Sequence, residues 1–215
     1  MNVRSALVAA IFACSMSIGP SARAAAPEKV ADRASDTAAA VAAPIVPDAA
    51  SIDRMTAHIM TMMPMDRIFE SVLASNQAEM KSELNATQHA CVTRELGRDA
   101  LTARKRAEVE RFARAKPEAF ASGLKVLDEG AAELIAMTVE ASIAGKEPDM
   151  NRAEGEAMIA FVTFVFDDQL ADLRALSGFG DMNDPEGSNG ATEAMMDALA
   201  ADLSKTCEIP IEMLD

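Results

Sequence analysis

The sequence predicts an all-α fold: a single irregular helical bundle that follows a signal peptide and a disordered tether rich in alanine and proline. Two observations carry this prediction. From residue 51 onward, apolar residues recur at spacings of three and four, which is the period of an amphipathic helix. The one run of β-branched and aromatic residues, at 161–166, has no second strand with which to pair. We therefore expect one helical domain over residues 51–215.

The first 24 residues have the three parts of a secretory signal peptide. Residues 1–4 carry one positive side chain, and residues 6–18 are almost entirely apolar. Gly19-Pro20 breaks this run, and Ala22-Arg23-Ala24 supplies the small residues that a signal peptidase recognises. The run is shorter than the roughly 20 residues that cross a bilayer. We expect cleavage after residue 24 and a mature protein in the periplasm or secreted, with no transmembrane helix.

The same segment leaves a second interpretation open. Ile11-Phe12-Ala13-Cys14 resembles the cleavage box of a bacterial lipoprotein, in which Cys14 would be lipidated and become the mature N-terminus. Phe12 fits this box poorly, and the apolar run continues to Ile18. We therefore favour cleavage after residue 24 and keep the lipoprotein as the alternative.

The charge of the chain excludes two classes of partner. The formal net charge is −14, and removal of residues 1–24, with two arginines and no acidic residue, would lower it to −16. A chain this acidic repels nucleic acid and anionic lipid surfaces. We expect neither to be a partner of the mature protein.

Helices follow a tether at residues 25–50, in which large apolar residues do not recur at helical spacing. The first three helices begin at the capping residues Ser51, Asp66 and Thr87. A proline at position 64 ends the first helix, and a glycine at position 97 ends the third. Their inward-facing apolar residues are Met55, Ile59, Met62, Phe69, Val72 and Leu73.

A charged helix at 99–116 precedes the helix with the clearest apolar stripe, which begins at Pro117. Gly123 and Gly130 lie seven residues apart and therefore on one side of this helix. Glycine in a helix interior costs about 1 kcal/mol relative to alanine, and a helix packed closely against that side would explain both. The stripe consists of Phe120, Leu124, Leu127, Ala131, Leu134, Ile135 and Thr138.

The last third of the chain continues the helical pattern. Asn151 can cap a helix that carries the apolar run at 161–166, and we expect this helix to be buried at the centre of the bundle. Asp167 then caps a short amphipathic helix. Residues 177–190, with four glycines, form a mobile loop, and a final helix covers 191–205. The inward leucines of the short helix are Leu170, Leu173 and Leu176.

Two cysteines remain once Cys14 leaves with the signal peptide. They are Cys91 and Cys207. An even pair in an oxidising compartment most often forms a disulfide, which is the interpretation we favour over two buried free thiols.

The first helix is unusually rich in methionine. Met55, His58 and Met62 share one of its faces, at i, i+3 and i+7. Thioether and imidazole ligands suit Cu(I), so these three residues are a candidate copper site. The alternative, which we favour, is an apolar helix that uses methionine as a flexible core filler. We expect no cofactor apart from this candidate metal.

Two charged segments are further candidates for binding. In an acidic chain, a run of basic residues offers a docking patch for an anionic partner, although such a run more often forms a solvated face or pairs with acidic helices of its own domain. The loop that begins at Asp181 contains four oxygen-bearing side chains but does not have the spacing of a calcium-binding EF-hand, so we interpret it as a polar turn. The basic residues are Arg98, Arg104, Lys105, Arg106, Arg111, Arg114 and Lys116.

No catalytic motif stands out. The sequence contains no Gly-x-Ser-x-Gly elbow, no phosphate-binding Gly-Lys-Ser/Thr loop and no His-Glu-x-x-His. Neither His58 nor His89 follows a glutamate by three residues, as the ligands of di-iron bundles do.

Residues 166–176, with the sequence FDDQLADLRAL, resemble part of an exported, all-helical proteobacterial family of unknown function. The pattern of that family is an aromatic residue, a helix-cap residue, an acidic residue followed by leucine, a further apolar stripe and then a turn. Gln169 stands where that family usually has an acidic residue, and Leu176 where it usually has an aromatic one. The resemblance covers about the last third of the chain and implies a helical fold and export from a Gram-negative cell. It implies no catalytic residues.

These observations favour a non-enzymatic binding or structural protein of the cell envelope, with an envelope protein as its partner. The first alternative is a periplasmic protein that handles copper through the helix around His58. The second alternative is an enzyme whose site has no recognisable motif.

Overall fold

The computed structural model describes residues 47–75, 83–150, 155–180 and 185–211, and only the backbone for 185–193. The signal peptide, the lipoprotein box, the tether up to residue 46, the Asn151 cap and the start of the acidic loop at Asp181 lie outside the described residues. What the sequence predicts for those segments therefore stays a prediction.

Within the described ranges the chain is helical with no strand, and this confirms the predicted all-α fold. The α-helices are α1 (Ala49–Met62), α2 (Met65–Ser75), α3 (Ala86–Glu95), α4 (Arg98–Ala115), α5 (Pro117–Val126), α6 (Ala132–Ile143), α7 (Gly155–Phe166), α8 (Ala171–Leu176) and α9 (Pro185–Cys207). A π-helical segment (Leu127–Ala131) joins α5 to α6, and a 3-10 turn (Asp168–Leu170) precedes α8. None of these described helices is long and apolar enough to cross a membrane.

The first three helices all begin earlier than predicted. α2 begins at Met65, so Asp66 lies in its first turn and does not cap it. The other two helices have caps other than the predicted ones. Asp48 caps α1, because its Oδ1 accepts a hydrogen bond from the backbone N–H of Ser51 at 2.7 Å. This N–H holds the pKa of the Asp48 carboxyl below its ordinary value, since it stabilises the charged form. Asn85, rather than Thr87, caps α3 in a reciprocal capping box with Gln88. In both cases a residue slightly earlier in the chain already supplies the oxygen that the helix needs.

The main hydrophobic core surrounds α1, which packs against α4 and α6 and also contacts α5. Met55, Ile59 and Met62 of α1 are fully buried in it. On another side, α7 packs against the π-helical segment, α5 and α6. Other elements contribute Val109, Phe120, Leu127, Ile135, Phe164, Leu170 and Leu173.

A second, smaller core forms where α2, α3, the start of α4 and α9 meet. The Sγ atoms of Cys91, on α3, and Cys207, at the end of α9, lie at the bonding distance of 2.03 Å, which is the pairing that the sequence predicts. Because the two cysteines are 116 residues apart, the chain-entropy model gives this bond about 4–5 kcal/mol of stabilisation. The core residues are Phe69, Val72, Val92, Leu96, Leu101, Met196, Leu203 and Ile209.

The helix predicted to begin at Pro117 is interrupted after Val126 by the π-helical segment, in which Gly130 has φ of +104°. A Cβ on Gly130 would lie 2.7 Å from the Cβ of Ala157 in α7. A Cβ on Gly123 would lie 2.6 Å from Cδ2 of Leu173 in α8. Close packing therefore accounts for both glycines, but the neighbours are two different helices, and Gly130 also supplies a left-handed turn.

α7 is not the fully buried central helix that its sequence predicts. One face, with Ala160, Phe164 and Val165, enters the main core. The opposite face is exposed, although it is also apolar. Periodicity cannot separate covered from uncovered faces in a helix that is apolar all round, and this is why the prediction of burial is wrong.

The close approach of α7 to the π-helical segment can be tested with Gly130→Ala. The new Cβ would combine a left-handed backbone with overlap against Ala157, so we expect the variant to lose about 3 kcal/mol of unfolding free energy. The measurement is a urea titration. Gly145→Ala is the matched control, because Gly145 also has positive φ but no atom within 4 Å of the new Cβ, and it should lose the backbone strain alone. Equal losses in the two variants would contradict the close packing.

Candidate functional site

The three candidate copper ligands occupy different environments. Met55 and Met62 are fully buried in the main core. His58 lies at the edge of this core, where its Nε2 is 2.8 Å from Oδ1 of Asp128. No group of three or more histidine, cysteine, aspartate or glutamate side chains that could hold a metal occurs among the described residues. This packing favours methionine as core filler, and copper binding stays a prediction.

Titration of the purified protein with Cu(I) separates the two interpretations of the methionine-rich helix. Because we favour the interpretation that these methionines fill the core, we expect Cu(I) to bind no tighter than micromolar. We also expect Met55→Leu and His58→Gln to leave this weak affinity unchanged. Tight binding that both substitutions weaken would instead establish the copper site. Met137→Leu serves as the control, because Met137 lies on α6, outside the methionine-rich helix.

Asp128 is the partner of His58 that the sequence did not reveal. Its carboxylate lies on the π-helical segment and also faces Nε of Arg54 at 3.7 Å. An open cavity of about 400 Å³ lies beside it, between the start of α1 and the end of α5. Its lining residues are Pro47, Asp48, Ser51, Arg54, Phe120, Ala121, Leu124, Lys125, Asp128 and Glu129.

The charged groups around this cavity bind one another. Arg54 and His58 share Asp128, Lys125 lies 3.6 Å from Glu129, and Asp48 is occupied as the cap of α1. An imidazole held by a carboxylate is the arrangement of a general base, but such a base needs a nucleophile within hydrogen-bond reach. The geometry gives the His58–Asp128 contact a simpler role, which is to join α1 to the π-helical segment.

Six of the seven basic residues between positions 98 and 116 pair with acidic residues of their own domain, which is one of the two alternatives to a docking patch. Arg104 bridges Glu95 of α3 and Asp202 of α9, with both N–O distances 2.8 Å. Arg106 reaches Asp53 of α1 at 2.7 Å. Further ion pairs are Arg98–Asp66, Lys105–Glu108, Arg114–Glu110 and Lys116–Asp172. The basic run therefore links α4 to much of the bundle, and an anionic partner would compete with these pairs.

The most unusual surface is the outer face of α7. Ile159, Val162 and Phe166 are 68%, 45% and 63% exposed. Their spacing of three and seven residues places them on one face, opposite Ala160 and Phe164 in the core. We call these three residues the α7 stripe. Contiguous exposed apolar residues on a protein surface mark interaction sites, whereas single ones need no explanation.

Carboxylates border the α7 stripe at both ends. Glu156 lies in the first turn of α7, and Asp167 and Asp168 follow its last residue. No lysine or arginine occurs between residues 155 and 173. The stripe is therefore an apolar surface with an acidic border.

Arg174 fixes the end of α7 that carries Phe166. It is only 1% exposed, and its Nη1 donates hydrogen bonds to the backbone oxygens of Phe164, at 2.8 Å, and Asp167, at 2.7 Å. Phe164 lies in the last turn of α7, whose carbonyls have no donor within the helix, and Asp167 directly follows that turn. The sequence contains a signal for this role, because Arg174 lies four residues after Leu170 and so on the inward face of its helix.

Arg174→Met should loosen the last turn of α7. Methionine fills similar space but leaves the buried backbone oxygen of Phe164 without its donor, and such a loss costs about 1–3 kcal/mol. The oxygen of Asp167 loses one donor but still accepts from the N–H of Leu170 at 3.0 Å. We therefore expect the amides of Val165 and Phe166 to exchange with solvent about tenfold faster or more, measured by hydrogen–deuterium exchange at single-residue resolution. The amide of Ile59, in the middle of α1, is the internal control. Unchanged exchange at the end of α7 would show that Arg174 does not hold it.

Comparison of the chain with protein-family models, with curated proteins and with solved structures found no match. The resemblance of residues 166–176 to an exported helical family therefore rests on the sequence pattern alone.

Proposed function

We propose that the protein is an exported, non-enzymatic binding protein of the cell envelope that recognises a partner protein through the α7 stripe. One observation carries the proposal: three large apolar side chains on one helix face are about half exposed or more. Soluble helices normally place polar residues on that face, so its composition needs another explanation. A partner that covers the stripe would provide it.

Two further features support this proposal. The order of charged, apolar and small residues at the N-terminus is that of an export signal, and a buried cysteine pair at bonding distance suits an oxidising compartment. The charged side chains near His58 satisfy one another, which fits a structural role for that cluster better than a catalytic one.

A binding surface of this kind concentrates its energy in a few anchors. Phe166 and Ile159 are the most exposed apolar side chains on α7, and burial of apolar surface stabilises a complex by about 25 cal/mol per Å². Anchors at the centre of an interface typically cost about 2 kcal/mol or more when removed. Substitution of either residue should therefore weaken binding of the partner strongly. It should not unfold the domain, because both side chains are exposed to solvent.

Site-specific photo-crosslinking in cells that export the protein tests the proposal. A photoreactive amino acid at Val162 should give a discrete crosslinked product, and Ile159→Asp should reduce its yield about tenfold or more, since a buried carboxylate opposes association. The control places the same amino acid at Glu70, an exposed position on α2. Circular dichroism should show unchanged helix content in the Ile159→Asp variant. Equal products at both positions, or a product that Ile159→Asp leaves unchanged, would refute a specific surface on α7.

A further inference from the structure

We infer that the occupant of the α7 stripe is a cationic amphipathic α-helix of the partner protein. This inference rests on the proposed function and adds the chemistry of the partner to it.

The shape of the stripe matches a second helix. From Ile159 to Phe166 the backbone rises about 10 Å along a single straight face, at 1.5 Å per residue. Side chains at i, i+3 and i+7 form a ridge, and ridges of this kind pack between the ridges of another helix. Helix recognition in proteins uses anchors at this spacing. A partner helix with its own apolar face would cover all three residues together.

The charges around the stripe indicate which residues the partner helix carries on its polar edges. Glu156 and Asp168 are exposed at the two ends of the stripe. Lysine or arginine at matching positions of the partner would complement these two carboxylates. The net charge of −14 would also attract such a helix from a distance and speed association.

The same charges disfavour two other occupants. A second copy of the chain would bring equivalent carboxylates toward one another, and most of the basic residues of α4 already bind acidic residues of their own domain. An anionic membrane surface would be repelled by the acidic border. A basic helix is the occupant that satisfies both the apolar and the charged parts of the surface.

Three synthetic peptides of about 18 residues, or five helical turns, test this inference. The first has a leucine face with lysine and arginine on its edges, and the second has the same face with glutamate edges. The third keeps the basic edges but replaces the leucines with serine and glutamine. Each is labelled and titrated with the full mature protein, and fluorescence anisotropy reports the affinity at low and raised salt.

The basic peptide with the leucine face should bind at least about tenfold tighter than the other two, and the margin over the acidic peptide should shrink as salt rises. Ile159→Asp should abolish its binding. The double variant Glu156→Lys with Asp168→Lys should reverse the preference toward the acidic peptide. Glu70→Lys, which changes an exposed carboxylate on α2, is the matched control and should retain the preference for the basic peptide.

Several outcomes would overturn the inference, and they can be told apart from failure of the proposed function. Equal binding of the basic and acidic peptides, lost in Ile159→Asp, would refute the cationic partner while retaining the apolar docking surface. Absence of stripe-dependent peptide binding would refute a helical partner, and the crosslinking experiment would decide the docking surface separately. Dimerisation in sedimentation experiments, or binding to anionic vesicles, that Ile159→Asp removes would assign the stripe to another occupant.

Discussion

The candidate surface depends on the packing of α7 against the π-helical segment. Gly130 permits it, because any side chain there would overlap Ala157. With α7 in this position, Phe164 and its neighbours enter the main core. The geometry of a helix then turns Ile159 and Phe166 toward solvent, since they lie on the opposite face. The exposed stripe is thus a consequence of how one helix packs.

The π-helical segment serves two neighbours at once. Its glycine admits α7, and its Asp128 carboxylate reaches His58 on α1. Gly130 has φ of +104° and lies outside the helical region, so the segment forms a kink between α5 and α6 that favours a residue without a Cβ. Through this kink, five residues connect the central helix of the main core to the helix that bears the stripe. Arg174 completes the arrangement from the other end of α7 by binding its last carbonyls.

The sequence predicts local features of this fold better than distant ones. Apolar spacing identifies the helices because it depends only on neighbouring residues, and the compartment argument pairs Cys91 with Cys207 because no third mature cysteine competes. The contact between His58 and Asp128 spans 70 residues, and no local sequence pattern predicts a contact between residues so far apart. The exposure of Phe166 was also missed, since an apolar side chain gives no indication of whether a neighbour covers it.

The acidic composition and the apolar stripe support each other physically. An uncovered apolar surface exposes a protein to self-association, because burial of that surface is favourable with almost any apolar partner. A net charge of −14 opposes the approach of identical copies and so lets the protein keep such a surface open in solution. The same negative charge attracts a basic partner. The apolar residues of the stripe supply affinity for any apolar partner, and the surrounding carboxylates favour basic partners over acidic ones. Specificity for a basic partner therefore needs both features together.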